Sequence, residues 1–373
     1  AASMRYPQVS SLDDPMFGAT LAPGSWGSND VEFGYRVEVS QKYPWPGKRR
    51  LRGETALAEA SAAASDIDSM RLQLTEAAQH ALYDYYLVER ALEVNERGRK
   101  LLEESRKATE TLFANPPKDR KISIQDVIQV DLEIGRQQER RLTLQRMRKV
   151  AVARINTLMH APPDADLPPP PKALVVQGGL PEAGQLRAAA LARRPDLQAL
   201  AHRIEAEQAA LALAEREYAP DVEVMAAYDT IMGNGPTRDL APQVGVRFNL
   251  PIRREKRSAA VAEAEARLGQ RRAELDRQID QLNFEVQQAY EQVREGQEVV
   301  RLYELPKDGI LDRARQNVDA ARNDYPNGLI PATAMIEAQR SLVNLRERYH
   351  EAVAEYFRRR ATLERVIGGS LAP

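Results

Sequence analysis

Side chains able to ligate a metal or attack a substrate are few in this chain, and they are scattered. His80, His160, His202 and His350 form no His-x-x-His or Glu-x-x-His pairing. The methionines, Met4, Met16, Met70, Met147, Met159, Met225, Met232 and Met335, do not cluster. Cysteine is absent, which removes disulfides, thiolate metal sites and a cysteine nucleophile. No phosphate-cradling glycine loop, Gly-x-Ser-x-Gly or paired-carboxylate motif stands out. The expectation is a protein that is not an enzyme and has no cofactor and no tight metal site. Four aromatic residues have a more definite physical preference. Trp26, Tyr35, Tyr43 and Trp45 stand near the ends of alternating apolar runs, where rings suit a membrane–water interface, with ordinary packing as the alternative.

Composition points to the elements that would carry such residues. Hydrophobic residues make up 43% of the 373, aromatics only 6% and charged residues 29%, which suits long helices and coiled coils better than one large core. Lys+Arg 53 against Asp+Glu 54 leaves a net charge of −1, so nothing draws the chain toward nucleic acid. No run of about 20 apolar residues exists, which excludes a transmembrane helix. Membrane strands stay open, because each needs only about 10 alternating residues.

Two such hairpins are written in the chain, one in each copy of a repeat. Met16 to Pro23 alternates with Phe17, Ala19 and Leu21 on one face, and Val31 to Trp45 alternates with Val37, Val39 and Tyr43. In the second copy Val222, Val224, Ala226 and Tyr228 precede a turn at Gly233 to Pro236, and Val244, Val246, Phe248 and Leu250 follow it. Each pair of runs closes on a proline and a basic cluster: Tyr43-Pro44-Trp45-Pro46-Gly47-Lys48-Arg49-Arg50, then Phe248-Asn249-Leu250-Pro251-Ile252-Arg253-Arg254. Pro46 and Pro251 lie 205 residues apart, and the same offset carries Pro15 to Pro220 and Tyr85 to Tyr290.

Beyond each junction the period lengthens. Ile67, Leu74, Ala81 and Val88 recur every seven residues, as do Ile279, Val286, Val293 and Val300, which is a coiled-coil seam. The first helix should run from about Arg49 to about Phe113, roughly 65 residues and about 100 Å. The second should run from about Arg253 to Arg322 with a kink at Pro306. Polar turns at 115–120 and 323–328 lead to return helices at about Ser123 to Met159 and Ala332 to Ile367, where the offset becomes 208.

The expected division is a first repeat over 1–160, a Pro-rich linker over 161–181 and a second repeat over 182–373. Within the first, strands occupy about 15–46 and a helical hairpin about 48–160. Within the second, leading helices occupy about 182–218, strands about 220–251 and a hairpin about 253–368. The first copy has no counterpart of the leading helix, so the repeat implies that roughly 50 or more residues of a natural N-terminus precede this chain. Its absence should uncover the seam at Ile67, Leu74 and Val88.

The order Asp/Ala-Pro, strand, loop, strand, Pro-x-[Gly/Ile]-[Lys/Arg]-Arg, long helix, tip and return helix, given twice, resembles the outer-membrane factor family typified by TolC. The Tyr43-Pro44-Trp45-Pro46-Gly47-Lys48 form is most similar to its heavy-metal cation efflux branch. The resemblance implies a mostly α protein with membrane β: a homotrimer whose four strands per chain form a twelve-stranded barrel in outer-membrane lipid, continued by a coiled-coil α-barrel across the periplasm. It implies a passive channel in a tripartite system, with a periplasmic membrane-fusion adaptor and an inner-membrane RND-type transporter as partners. Four strands cannot close a barrel with a lumen, and open edges are not tolerated in lipid, so the residues themselves also ask for copies.

The resemblance assigns roles to particular positions. Asn327, Gly328 and Leu329 match the family's adaptor-docking Gly-Leu tip, with Arg120, Lys121 and Ile122 in the corresponding place of the first copy, where glycine is lacking; a helix-capping glycine is the plainer reading. Asp126 and Glu337 fall where acidic rings favour cations at a periplasmic gate, against the alternative of a solvated helix face. A drug-efflux or type I secretion channel is the nearer rival for function, and a soluble periplasmic coiled-coil adaptor or scaffold the more distant one.

Overall fold

A computed structural model of the chain describes residues 2–22, 34–115, 123–176, 178–229, 241–305 and 308–371. Trp26, the tip residues Arg120, Lys121 and Ile122, the Gly233 to Pro236 turn and Pro306 lie outside the described residues. The elements are α1 (Arg5–Ser10), β1 (Met16–Ala22), β2 (Gly34–Tyr43), α2 (Lys48–Ala114), α3 (Ile124–Leu158), α4 (Ala183–Arg193), α5 (Pro195–Arg216), β3 (Val222–Asp229), β4 (Ala241–Phe248), α6 (Arg254–Glu304), α7 (Ile310–Asp324) and α8 (Ala332–Val366). Both bounds of α3 reappear in α8 at an offset of 208, and the ends of β2 and β4 are 205 residues apart.

The chain divides into two compact units, and each draws on both halves of the sequence. One comprises 1–69 and 195–280, the other 70–194 and 281–373. The first holds a four-stranded antiparallel sheet in the order β1-β2-β3-β4. Phe17 faces Val39, Val39 faces Ala226 and Ala226 faces Val244, so one row of apolar side chains crosses all four strands. Below the sheet, small residues let the helices approach closely: Ala56, Ala62, Ala199 and Ala206 are buried with Leu51, Leu197 and Leu268. Arg203 pairs with Asp66 at 2.6 Å, and Gln278 donates to Asp196 at 3.3 Å.

The second unit is built on the seams. Ala81, Tyr85 and Val88 of α2 and Val286, Val293 and Val300 of α6 are buried, as are Val353, Ala354 and Leu363 of α8. A Cβ added at Gly98 would stand 2.6 Å from Val343 Cγ2, so α2 and α8 pack at a distance that only glycine allows. Where α3 gives way to the linker, Asn156 donates to the carbonyls of Pro163 at 3.3 Å and Ala165 at 2.8 Å.

Three expectations are corrected here. The first copy does have a helix ahead of its strands, the six-residue α1, and Arg49 donates to the Ser10 carbonyl at its end at 2.9 and 2.7 Å. Arg257 does the same to the Glu217 carbonyl after α5, at 2.7 Å. The long second helix is broken rather than kinked: α6 stops at Glu304 and α7 starts at Ile310, with Asp308 at φ 68 between them. A left-handed residue cannot continue a helix, so the break is set by backbone geometry. Of the seam residues expected to be uncovered, Ile67 and Leu74 are exposed, but Val88 is buried.

Candidate functional site

The strand-to-helix junction gathers several long-range hydrogen bonds of the first unit. After β2, Trp45 donates its N–H to Asp221 Oδ1 at 3.0 Å, and Gly47 adopts φ 96, a conformation that side chains rarely allow. That turn delivers Lys48 as the first residue of α2, with its side chain wholly buried. Its Nζ donates to Asp221 Oδ1 at 2.8 Å and the Ala219 carbonyl at 3.0 Å, and meets Glu217 Oε2 at 3.3 Å. Arg216 closes the other side by donating to the Pro46 carbonyl at 2.9 Å. Burial alone would push the Asp221 carboxyl up, but Lys48, the Trp45 N–H and Lys42 outweigh it and hold the group below its usual range. In the sequence Lys48 is one member of a basic run; in the fold it is the tie between the two copies.

Above the junction the sheet has two unlike faces. Phe17, Leu21, Val37, Val39, Val224, Tyr228, Val244 and Phe248 stand on one, and all are exposed; Val244 is 83% open. The other carries Arg36, Glu38, Lys42, Glu223 and Arg247, with ion pairs Arg36–Glu38 at 3.0 Å and Arg247–Glu223 at 3.2 Å. Tyr43 and Trp45 lie exposed at the lower border of this sheet, and Tyr35 sits further up β2. An exposed apolar face of this extent marks an interaction surface.

At the far end of α7, in the second unit, Gly328 has φ 78, its N–H donates to the Tyr325 carbonyl at 3.1 Å, and the Leu329 N–H donates to the Asp324 carbonyl at 3.1 Å. This is a Schellman closure, with glycine in the left-handed position it requires. Asn327 donates its side-chain amide to the Asn323 carbonyl at 2.8 Å. Tyr325, Ala332 and Met335 form a small buried cluster behind the turn, while Leu329 is 72% exposed. The turn is therefore rigid at its base and presents one apolar side chain outward.

Asp126 and Glu337 are placed differently from each other. Asp126 completes the capping box of α3: its carboxylate accepts the Ser123 N–H at 3.2 Å, while Ser123 Oγ accepts the Gln125 N–H at 3.2 Å. Glu337 is exposed and pairs with Arg340 at 3.0 Å. A third carboxylate, absent from the sequence expectations, is the buried one: Glu133, which receives Arg340 at 2.7 Å and Arg136 at 3.0 Å and so ties α3 to α8. Burial would raise its pKa, but the two guanidiniums outweigh that and keep it low. Glu133 continues the three-residue stripe of buried Val127 and Val130, and an acid on an apolar stripe is a signal the sequence does carry.

Three of the four histidines have side-chain partners within the fold. His80 Nε2 lies 3.1 Å from the Arg358 carbonyl, and His202 lies 3.0 Å from Glu205. His350 packs against Tyr349 and Tyr86, and its pKa is lowered to about 4 by burial and by Arg90, Arg97 and Arg346. Among the described residues no group of three or more His, Asp or Glu could hold a metal ion.

Residues 186–369 match the family model described as outer membrane efflux protein. The whole chain superposes on solved channels. The outer-membrane channel OprN is 20% identical with a TM-score of 0.81, covering 99% of this chain and 84% of its own. CusC, whose structures concern folding and transmembrane channel formation, is 16% identical with a TM-score of 0.82, covering 99% and 86%. The chain has the fold of the outer-membrane efflux channels. The outer membrane protein VceC from Vibrio cholerae shares that fold at 18% identity and a TM-score of 0.79, covering 99% of this chain and 89% of its own. A search of curated proteins by sequence finds no match.

Proposed function

We propose that the chain is the outer-membrane conduit of a tripartite efflux system, a passive channel that carries substrate across the periplasm and the outer membrane. The observation that carries this reading is the sheet: four strands with one largely apolar, mostly exposed face, a charged opposite face and two edges with no strand partner among the described residues. Unpaired edges in lipid cost several kcal/mol per unsatisfied backbone group, so the sheet needs further copies, and a homotrimer supplies the twelve strands of a barrel with a lumen. The charged face then lines water, and Tyr35, Tyr43 and Trp45 lie toward the membrane borders.

The Asn327-Gly328-Leu329 turn fits a docking tip for a periplasmic membrane-fusion adaptor that leads to an inner-membrane RND-type transporter. An exposed leucine on a turn fixed by two backbone hydrogen bonds is a pre-organised apolar knob. Arg120, Lys121 and Ile122 would be its counterpart in the first copy. Asp126 and Glu337 are proposed as the carboxylates of the periplasmic constriction, repeated in each copy. For cargo, the resemblance of Tyr43-Pro44-Trp45-Pro46-Gly47-Lys48 to the cation-efflux branch favours heavy-metal cations over drugs or secreted proteins.

Expression in an envelope lacking its own channel tests the reading. The protein should fractionate with the outer membrane, and the reconstituted protein should conduct ions across planar bilayers. A protein that stays soluble without detergent and conducts nothing would refute it. Metal-ion tolerance restored without dye or drug tolerance would support the cargo, and the opposite pattern would transfer it to the drug-efflux reading. Glu337→Ala with Asp126→Ala should lower cation selectivity, and unchanged selectivity would remove these residues from the gate.

A further inference from the structure

We propose that the second compact unit holds a binding site for a phosphate-type oxyanion, formed by Arg97 of α2, Arg315 of α7 and Arg346 of α8. The site goes beyond the channel reading and does not depend on it. Helix register brings the three guanidiniums together. Arg322 of α7 pairs with Glu104 of α2 at 2.9 Å, and further along both helices Leu112 packs beside Tyr325, so α2 and α7 run in the same direction. Seven residues earlier on each helix, about two turns, stand Arg315 and Arg97. α8 runs the other way. Its Gln339 donates to Ser105 at 2.6 Å. Seven residues back on α2 from Ser105 is Gly98, which packs on Val343, and seven residues on from Gln339 is Arg346. The lower layer thus pairs an arginine with a glutamate and a glutamine with a serine. The layer above it sets three arginines in the corresponding places.

Nothing in the fold neutralises them. Among the described residues, Arg97, Arg315 and Arg346 make no ion pair and no side-chain hydrogen bond. The neighbouring carboxylates are engaged elsewhere: Glu93 with Arg90 at 2.7 Å, Glu96 with Arg99 at 2.7 Å, Glu347 with Arg140 at 3.1 Å and Asp312 with Gln316 at 2.8 Å. Asp319, one turn after Arg315, does not pair with it. Arg346 is half-buried, and burial together with the like charges of Arg315 and Arg97 holds its pKa below the ordinary arginine range.

A second observation points to the same place. One turn beyond Arg346, His350 faces Arg90, Arg97 and Arg346. Arg90 is only 7% exposed; its Nη1 donates to Glu93 and to the Lys172 carbonyl at 3.4 Å, but its Nε has no hydrogen-bond partner. A buried donor without an acceptor, beside three guanidiniums without a counter-charge, leaves both a hydrogen bond and a charge unanswered. Planar guanidinium forks match the oxygens of a phosphate-type anion, which chloride cannot imitate. A bound oxyanion would fasten α7, whose far end leads into the Gly328 turn, to α2 and α8.

Thermal unfolding of the full-length protein in detergent tests the site, with inorganic phosphate titrated against sodium chloride at matched ionic strength. Phosphate should give a saturable rise in Tm that chloride does not. Arg346→Gln loses a charge-assisted hydrogen bond, so its half-maximal phosphate concentration should rise about ten-fold or more. Arg315→Glu, at an exposed position, copies the charge pattern of the Glu104–Arg322 layer; it should raise Tm in chloride and lose the phosphate response. Arg146→Gln, at an exposed arginine of α3, should keep that response. The site is refuted if phosphate acts no more strongly than chloride, or if Arg315→Glu melts lower in chloride or still responds like wild type. It is equally refuted if Arg146→Gln loses as much of the response as Arg346→Gln, since the effect would then follow net charge. Should Arg346→Gln fail to fold, Arg315→Glu still decides.

Discussion

Replacing Lys48 by methionine tests whether the junction is held as described. The substitution keeps the volume and removes a charge that makes three contacts, at 2.8, 3.0 and 3.3 Å, to Asp221, Ala219 and Glu217. It leaves the buried Asp221 carboxylate with only the Trp45 N–H at 3.0 Å and the half-exposed Lys42 at 3.7 Å. Breaking a buried pair by removing one partner costs about 3–5 kcal/mol, and the surviving contacts place this case near about 3. Lys48→Met/Asp221→Asn removes the orphaned charge, so the double variant should recover about 2 kcal/mol relative to the sum of the single changes. The folded-state pKa of Asp221 is lowered, so its contribution is complete above the unfolded carboxylate pKa and is lost as pH falls through the folded value. Without Lys48 burial raises the Asp221 carboxyl, so the gap between wild type and Lys48→Met should be widest near neutral pH and should narrow as acid protonates the orphaned group. Denaturant midpoints of the detergent-solubilised protein give the measurement. A cost below about 1 kcal/mol, or strict additivity in the double variant, would refute the argument that this lysine ties the copies together.

Three further outcomes are expected. His350 has its pKa lowered to about 4, so the folded state binds fewer protons than the unfolded one and stability falls as pH drops from about 6.5 toward 4; after discounting for the solvent that reaches the ring this is about 1–2 kcal/mol, and melting curves of His350→Gln should be flatter over that interval than those of wild type. Gly98→Ala improves helix propensity by about 1 kcal/mol but sets a methyl 2.6 Å from the stiff Val343, so a net loss of thermal stability is expected, with recovery in Gly98→Ala/Val343→Ala. Leu329→Ser should leave melting unchanged, because the side chain is exposed, yet abolish efflux in cells; Gly328→Ala should cost about 1 kcal/mol by forcing alanine to φ 78.

What the sequence showed and what it hid divide along the range of the interactions. The strands were legible because alternation is a local signal, and α3 and α8 were legible because the same apolar spacing occurs twice at an offset of 208. The break between α6 and α7 was underestimated as a kink, because a left-handed Asp308 leaves no trace in hydrophobic periodicity. α1 was overlooked because Arg5–Ser10 is too short to show a period and is held by tertiary bonds such as Arg49 to Ser10. Lys48 is one of several basic residues in sequence, and nothing local singles it out, because its carboxylate partner Asp221 lies 173 residues away. The compact units escaped as well, since packing joins parts of both repeats and the sequence displays them end to end.

That interleaving governs how the chain can be made. Strand β2 has its hydrogen-bonding partner β3 almost two hundred residues later, and neither compact unit has all its parts until α6 and α8 have been synthesised. Neither unit can close while the later half is still emerging, so β2 waits for β3 with one edge unpaired. High sequence separation also slows the search for native pairs. Until that search ends, the unpaired strand edges and the apolar row stay open to wrong partners, so mispairing between copies competes with folding most strongly at high concentration.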